Sequence, residues 1–454
     1  MALFDTSTLK PGVTPKEVFS WALFDAANSG YSTVVMTAVF NAFFVATVCS
    51  DAPWATFLWS CAVALGNALS MVLMPAIGRI ADLTATKKKW LVVATLVCVA
   101  ATALLAYSGP GTYVLSVTMI VVSLIGYNVG ESLNSAFLPE IAKPESIGKI
   151  SGWGWSLGYV GGLVTLALCL AAVLIGQSKG MEMTTLVGIS CIITALVFIV
   201  VAFPVFVWLK ERSTPQIEHM PFMRAFKEAG GELCQTLSLL KPYRDFRYLV
   251  VCGFLYQCGI ATVIALAAIY ASSVMGFGMT ETLIMVLLVN ITAAVGAFAF
   301  GYIQDRLGHK KALALTLCVW IAMVATAASA QEVWVFWISA NLAGLAMGSS
   351  QSAGRAMVGV FAPKARLAQF YGFWNMALWL SAIVGPMTYG AVTWITGSNH
   401  RLAIVVTGIF FVLGLIVLAF INVKRGQQKA LETMPQEPQP PVAVSANAYG
   451  DSVN

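Results

Sequence analysis

Charge-free stretches such as Leu186 to Leu209 and Leu402 to Val423 are long enough to cross a bilayer as helices, for which about 20 apolar residues suffice. Twelve such segments can be drawn, beginning near residues 20, 54, 90, 113, 150, 185, 247, 281, 312, 333, 367 and 401. Hydrocarbon offers backbone N–H and C=O groups no partner, so segments of this kind fold as helices that satisfy themselves. The composition agrees, with 59% hydrophobic residues and 10% charged ones, against about 25% charged in a soluble domain. The expected fold class is therefore an all-α membrane protein with twelve transmembrane helices.

Lysine and arginine set the expected orientation. With an even helix number both termini lie on one side, and 23 of the 26 basic residues fall in the loops and termini of that side. Lys179 and Arg401 fall opposite, and Arg355 lies within a helix. Both termini are thus expected in the cytoplasm, and the short loops suggest a bacterial inner membrane. The net charge of +6 reports this topology and contact with anionic lipid, and no nucleic-acid partner is expected. The residues before Ser20 include Asp5, Pro11 and Pro15, so no cleaved signal peptide is expected. The nine cysteines are odd in number, scattered and without a CxxC pair, which gives no disulfide framework.

An internal repeat divides the chain. Gly78-Arg79-Ile80-Ala81-Asp82, followed by Lys87, Lys88 and Lys89, recurs 223 residues later as Gly301-Tyr302-Ile303-Gln304-Asp305, followed by Arg306, Gly308, Lys310 and Lys311. Gly130 and Gly348 are 218 apart, and Gly152 and Gly372 are 220 apart. A nearly constant offset at three landmarks indicates two pseudo-symmetric six-helix bundles. The expected organisation is an N-terminus over 1–19, a first bundle over 20–209, a charged connector of helical pattern over 210–246, a second bundle over 247–424 and a proline-rich disordered tail over 425–454. Phe222, Phe226 and Leu233 lie at helical spacing in the connector, which reads as a membrane-surface helix.

In each GxxxD the glycine permits close helix contact and the aspartate can meet a facing helix N-terminus. Gly78, Asp82, Gly301, Asp305 and Arg306 are therefore candidate gating and conformational-switch residues. Here the chain resembles the major facilitator superfamily, whose loops after helices two and eight carry this pattern, and the resemblance implies the major facilitator fold. The second copy fits well. The first departs at Leu83, Thr84 and Thr86, so a looser latch is expected there.

Within that superfamily a narrower set of segments stands out: Trp21 to Tyr31, Asn134 to Glu140, Ser151 to Gly162, Gln351 to Arg355, Pro363 and Phe370-Tyr371-Gly372. Together they are similar to the vacuole effluxer family, which groups fungal autophagy-related amino-acid exporters with many bacterial permeases. The resemblance implies secondary transport. In helix seven the resemblance aligns the family's acidic position with Cys258; if that aspartate binds a proton or cationic group in relatives, this chain either lacks the step or uses another residue.

Three ionisable residues fall within the helices: Asp25, Glu131 and Arg355. Glu131 and Arg355 stand eight residues before Pro139 and Pro363, about 12 Å from their helix ends. Glu131 reads either as a protonation or ammonium site or as a hydrogen-bonded structural carboxylate. Arg355 offers a rigid fork for a carboxylate, either on a solute or on Asp25 across the halves, where pairing acts as a gate or a static bridge. Asn28, Gln351 and Asn375, with Asn128, Asn134, Gln257 and Asn290, are amides that orient a polar solute or link helices. Trp155, Tyr159 and Trp374 are candidate cavity aromatics, with core or lipid packing as the alternative for each ring.

No Walker A pattern is present, which removes support for direct ATP use, and His219, His309 and His400 all fall in expected loops. Met275-Gly276-Phe277-Gly278-Met279 lacks the histidine or cysteine company a copper site would want. No cofactor, metal or enzymatic activity is expected. The expectation is a secondary active transporter that moves a small polar or zwitterionic solute by alternating access, with the proton as candidate coupling ion and lipids as surroundings. A proton-coupled exporter of lipophilic or cationic compounds and a non-transporting solute sensor are the alternatives.

Overall fold

The computed structural model describes residues 6–50, 55–218, 220–231, 240–277, 279–397 and 399–432. Twelve long helical runs follow in order, and none of the described residues forms a β-strand. The first bundle holds α1 (Pro15–Tyr31), α2 (Ala55–Leu83), α3 (Lys87–Leu104), α4 (Tyr113–Ile141), α5 (Ile147–Ser178) and α6 (Met183–Trp208). The second holds α7 (Arg244–Met275), α8 (Met279–Leu307), α9 (His309–Ser329), α10 (Val333–Phe361), α11 (Leu367–Ile395) and α12 (His400–Ala419). Eleven of these are long and apolar enough to cross a membrane uninterrupted. The first crossing is broken instead: α1 continues through π-helical turns at Ser32–Ala38 and Phe44–Val48, flanking a short α-helical piece at Phe40–Phe43.

The helix starts follow local chemistry. α1 begins at Pro15 rather than near residue 20, because Thr14 accepts the backbone N–H of Glu17 and Pro15 fills the first helical position. The repeat is visible in packing. α1 lies on α5 and α6 while α4 lies on α2 and α3; correspondingly α7 lies on α11 and α12 while α10 lies on α8 and α9. The halves meet through α5 against α8 and α2 against α11. A side chain at Gly152 would run into the Ala297 carbonyl and Gly301, so glycine is what lets α5 approach α8. Exposed Leu174, Leu196, Val200, Phe203, Ile338 and Ile409 clothe the outer surface with apolar side chains suited to lipid.

The connector belongs to the first bundle. Its helix, Phe222–Gly231, seats Ala225 with Met220 against Ala76 and Ile80 of α2. The Lys210 backbone N–H and the Arg212 guanidinium donate to Glu17, and Gln216 N–H donates to the Leu83 carbonyl. Fully buried Lys87 donates to Glu140 and Ser213, with Glu211 at 3.5 Å and Asp82 at 3.9 Å. The connector positions Leu233 and His219 lie outside the described residues. His309 and His400 are the first residues of α9 and α12 rather than loop residues.

The tail differs from the expected disorder over its first residues. Val423–Glu432 is a helix, held where Arg425 donates to both carboxylate oxygens of Asp245 at 2.7 Å and Asn422 N–H donates to one of them at 2.7 Å. That docking outweighs the polar composition; residues 433–454 lie outside the described residues.

The departure in the first GxxxD loop has a backbone consequence. Ala85 sits at φ 53°, and its repeat counterpart Gly308 at φ 85°. Both loops therefore turn at a positive φ, Gly308 with ψ 150°, and in the first loop an L side chain takes a positive φ at a cost of roughly 1–2 kcal/mol. Ala85→Gly should raise stability by roughly 1 kcal/mol, about 1–3 °C in thermal unfolding of the detergent-solubilised protein. Gly308→Ala should lower it by more, roughly 1–3 kcal/mol, since a Cβ at Gly308 meets nothing within 4 Å but φ 85° with ψ 150° is a region essentially restricted to glycine. Opposite shifts, the larger at Gly308, check the assignment.

Candidate functional site

A cavity of about 980 Å³ lies between the halves. Its lining runs from Tyr127, Trp155 and Gln351 at the deepest level out to Thr47, Met183 and Phe336, which stand near helix ends on the face opposite the termini. The cavity therefore opens toward that face. Its walls are mainly apolar, with Val39, Phe43, Leu166, Ile264, Met285 and Met323 among them, and no charged side chain among the described residues lines it. Ser29, Ser32, Thr33, Tyr159, Asn290 and Gln351 supply the polar groups nearer the base and on the walls.

The charges lie one turn below. On α10 the lining residues Phe336, Ala340, Ala343, Met347 and Gln351 step along one helix face, and the next residue in that series is Arg355. On α4 the step below Tyr127 is Glu131, and on α1 the step below Ser29 is Asp25. Arg355 Nη1 donates to Asp25 Oδ2 at 2.6 Å, with both side chains almost fully buried. Asn134 donates to the other Asp25 oxygen at 2.9 Å. The remaining guanidinium N–H groups reach the Ser151 hydroxyl at 3.2 Å and its carbonyl at 2.9 Å. The rings of Trp21 and Trp155 lie 4.9 and 5.2 Å from the guanidinium carbon, so aromatic faces shield the cation on two sides. Glu131 accepts from Asn28 at 2.8 Å and stands 3.9 Å from Arg355 Nη1.

Closer to the face that carries the termini, carboxylates cap helices across the halves. Asp305 accepts the Gly148 and Lys149 N–H groups of α5 at 3.1 Å, and Asp82 accepts the Gln369 N–H of α11 at 3.2 Å. These are the helix N-terminus contacts that the GxxxD pattern suggests. Gly301 packs on the backbone of Gly148 and Lys149, and Gly78 is buried on α2. Arg306 is exposed and has no ion-pair partner among the described residues. Asn375 adds another link between halves, donating to Ser132 at 2.5 Å.

The sequence candidates therefore separate by place. Trp155, Tyr159 and Gln351 line the cavity; Asp25, Asn28, Glu131 and Arg355 form the network beneath it. Trp374 is packed against Tyr256 and under Gly253 and Gly354, outside the lining. Cys258 is fully buried, with its carbonyl against Gly385 of α11. Ser151 and Trp21 were not singled out as partners of the charges, nor Ser132 as the partner of Asn375, and a serine or tryptophan in an apolar helix carries no signal that would do so.

The comparisons identify the family. A family model described as "Vacuole effluxer Atg22 like" matches residues 55–147 and 145–431. The chain belongs to the Atg22-like vacuole effluxer family. The "Uncharacterized MFS-type transporter YxiO" of Bacillus subtilis is 27% identical over 411 residues, 89% of this chain and 95% of that protein. Autophagy-related protein 22-1 of Aspergillus niger is 22% identical over 302 residues, covering 62% of this chain and 48% of that protein. The chain thus spans about half the length of this fungal relative. Among solved structures, the human organic anion transporter MFSD10 has a TM-score of 0.71 at 13% identity, over 89% of this chain and 100% of that one. FucP in its outward conformation has a TM-score of 0.69 at 16% identity, over 90% and 98%. The fold is that of the major facilitator superfamily, and this family member is an integral membrane secondary transporter, not an enzyme.

Removing one partner of the buried pair leaves the other charge in a low dielectric. Asp25→Asn and Arg355→Met should each destabilise by about 3–5 kcal/mol, whereas the double variant should lose markedly less than the sum. Thermal unfolding of the four proteins in one detergent checks this, and additive losses would show that the pair is not energetically coupled.

Proposed function

We propose that this protein moves a small solute with an apolar body and a zwitterionic head, an amino acid or close analogue, by alternating access. The observation that carries the reading is the apolar cavity set one turn above a three-charge network. The apolar walls suit a branched or aromatic side chain, and the base offers aromatic rings, hydroxyls and an amide to a polar head. Taking the face with the termini as cytoplasmic, from the distribution of lysine and arginine in a bacterial inner membrane, the structure is outward-facing: cavity open outside, cytoplasmic side closed by Asp82, Asp305 and Asn375.

Asp25, Glu131 and Arg355 sum to one negative charge when both carboxylates are ionised. A proton on Glu131, or a solute ammonium beside it, brings the network to neutrality, and the two compete for one place. Competition of that kind is the logic of exchange, in which proton binding from outside releases the solute there. Asp25 and Arg355 bridge the halves and act as the inner gate, closed in this state.

The apolar lining also favours a second reading, export of lipophilic cations, with Glu131 as the binding charge and Arg355 structural. Stabilisation of the purified protein across leucine-like amino acids, glycine, sugars and lipophilic cations separates the two, followed by flux in proteoliposomes. Leucine-like ligands should stabilise most, and a lipophilic cation that binds while every amino acid fails would overturn the first reading. Raising the pH frees Glu131 of its proton, so ammonium-bearing solutes should bind more tightly as pH rises. Glu131→Gln should abolish that pH dependence while leaving solute exchange measurable; a pH dependence that survives the substitution would remove Glu131 from coupling.

A further inference from the structure

The halves carry equivalent polar pairs on counterpart helices. Asn28 of α1 donates to Glu131 of α4 at 2.8 Å, and Gln257 of α7 donates to Gln351 of α10 at 2.7 Å. Glu131 and Gln351 are 220 residues apart, the offset that also separates Gly152 and Gly372. The chemistry differs: the first pair ends in a carboxylate, whereas the second is made of carboxamides alone. Gln351 lines the cavity one turn above Arg355, and Gln257 is buried behind it at 5% exposure.

Hydrogen-bond inventory decides what Gln351 presents. Gln257 Nε2 holds the Gln351 oxygen at 2.7 Å, the shorter of the two contacts between the amides, which engages one of its two lone pairs. The Gln351 nitrogen has only a long contact to Gln257 Oε1, at 3.4 Å, and a carboxamide nitrogen carries two hydrogens. The nitrogen, the more loosely held end, therefore keeps an N–H donor that suits an oxygen acceptor on a solute.

We propose that Gln351, oriented by Gln257, recognises the carboxylate or carbonyl oxygen of a solute whose ammonium group lies beside Glu131, and so selects zwitterions over simple amines. The assignment rests on the solute reading given above. It divides head-group recognition between the halves, one taking the ammonium and the other the oxygen, so only a solute with both ends bridges them. Gln257 is a positioning residue. A glutamate in its place can only accept at neutral pH, so it draws the Gln351 N–H toward itself and turns the Gln351 oxygen to the cavity.

The test is binding of leucine, isoamylamine (leucine without its carboxylate) and isocaproate (leucine without its amine) to the purified full-length protein, by calorimetry. Gln351→Met should weaken leucine roughly 10- to 100-fold and change isoamylamine less than about twofold. Gln257→Glu should shift the ratio the same way and tighten isoamylamine, while the uncharged Gln257→Met should weaken leucine by a smaller factor. Retained isoamylamine binding shows that the variants are folded. Equal weakening of leucine and isoamylamine in Gln351→Met, or an unchanged ratio in it or in Gln257→Glu, overturns the assignment while leaving the solute reading standing. Wild-type protein that binds isoamylamine and not leucine, or none of the three ligands, overturns the solute reading and this assignment with it.

Discussion

The contact between Asp25 and Arg355 sets the terms for the rest of the interior. Withdrawing two charges from water costs several kcal/mol for each ion, and their mutual attraction offsets this only when the remaining polar atoms are also satisfied. Here they are: Asn134 takes the second carboxylate oxygen, Ser151 takes the guanidinium twice, and two indole rings cover its faces. Those partners come from α1, α4 and α5 in one half and meet an arginine on α10 in the other. The arrangement is complete only while the halves are together at this depth. It therefore fixes the base of the cavity and the side on which the molecule is shut.

The same requirement explains why the cavity wall is uncharged. Each ionised group near the midplane is already engaged with another, so what reaches the cavity is the next turn outward: a tyrosine, a serine, an amide and the edge of Trp155. A solute meets those groups first and the charges through them. Glu131 is the partial exception, because it lies 3.9 Å from Arg355 and keeps more exposure than Asp25. That makes it the network's most accessible acidic group, and the one a proton or an ammonium reaches with least rearrangement.

Much of this was legible in the sequence because membranes restrict the alternatives. Charge-free runs located the crossings to within a few residues, and a carboxylate repeated 223 residues apart pointed to paired helix caps. With three ionisable residues in apolar helices, pairing of Asp25 with Arg355 was one of the readings open to the sequence, beside a solute carboxylate for Arg355. What stayed hidden has physical reasons too. Hydrophobicity has no phase that separates π-helical from α-helical turns, so the broken outer part of the first crossing left no trace. Ser151 acts partly through its carbonyl, which every residue has. The helix at Val423–Glu432 depends on Asp245, nearly two hundred residues away, while its own sequence resembles the polar tail that follows.

The distribution of symmetry within the repeat separates machinery from recognition. Contacts that open and close a path must behave alike in both halves if one rocking motion serves both, and those are the shared geometries: α5 on α8 mirrors α2 on α11, and Asp305 mirrors Asp82. A solute has no such symmetry, so its surroundings must break it. The breaks fall where the cavity meets the charges: a carboxylate beside Asn28, a carboxamide beside Gln257, and an interrupted α1 lining the cavity opposite a continuous α7. A second carboxylate at Gln351 would leave the midplane with three negative groups around one guanidinium, an excess that low dielectric penalises steeply. One half therefore carries both carboxylates and the other the guanidinium with uncharged amides above it, which gives a solute two chemically different ends to meet.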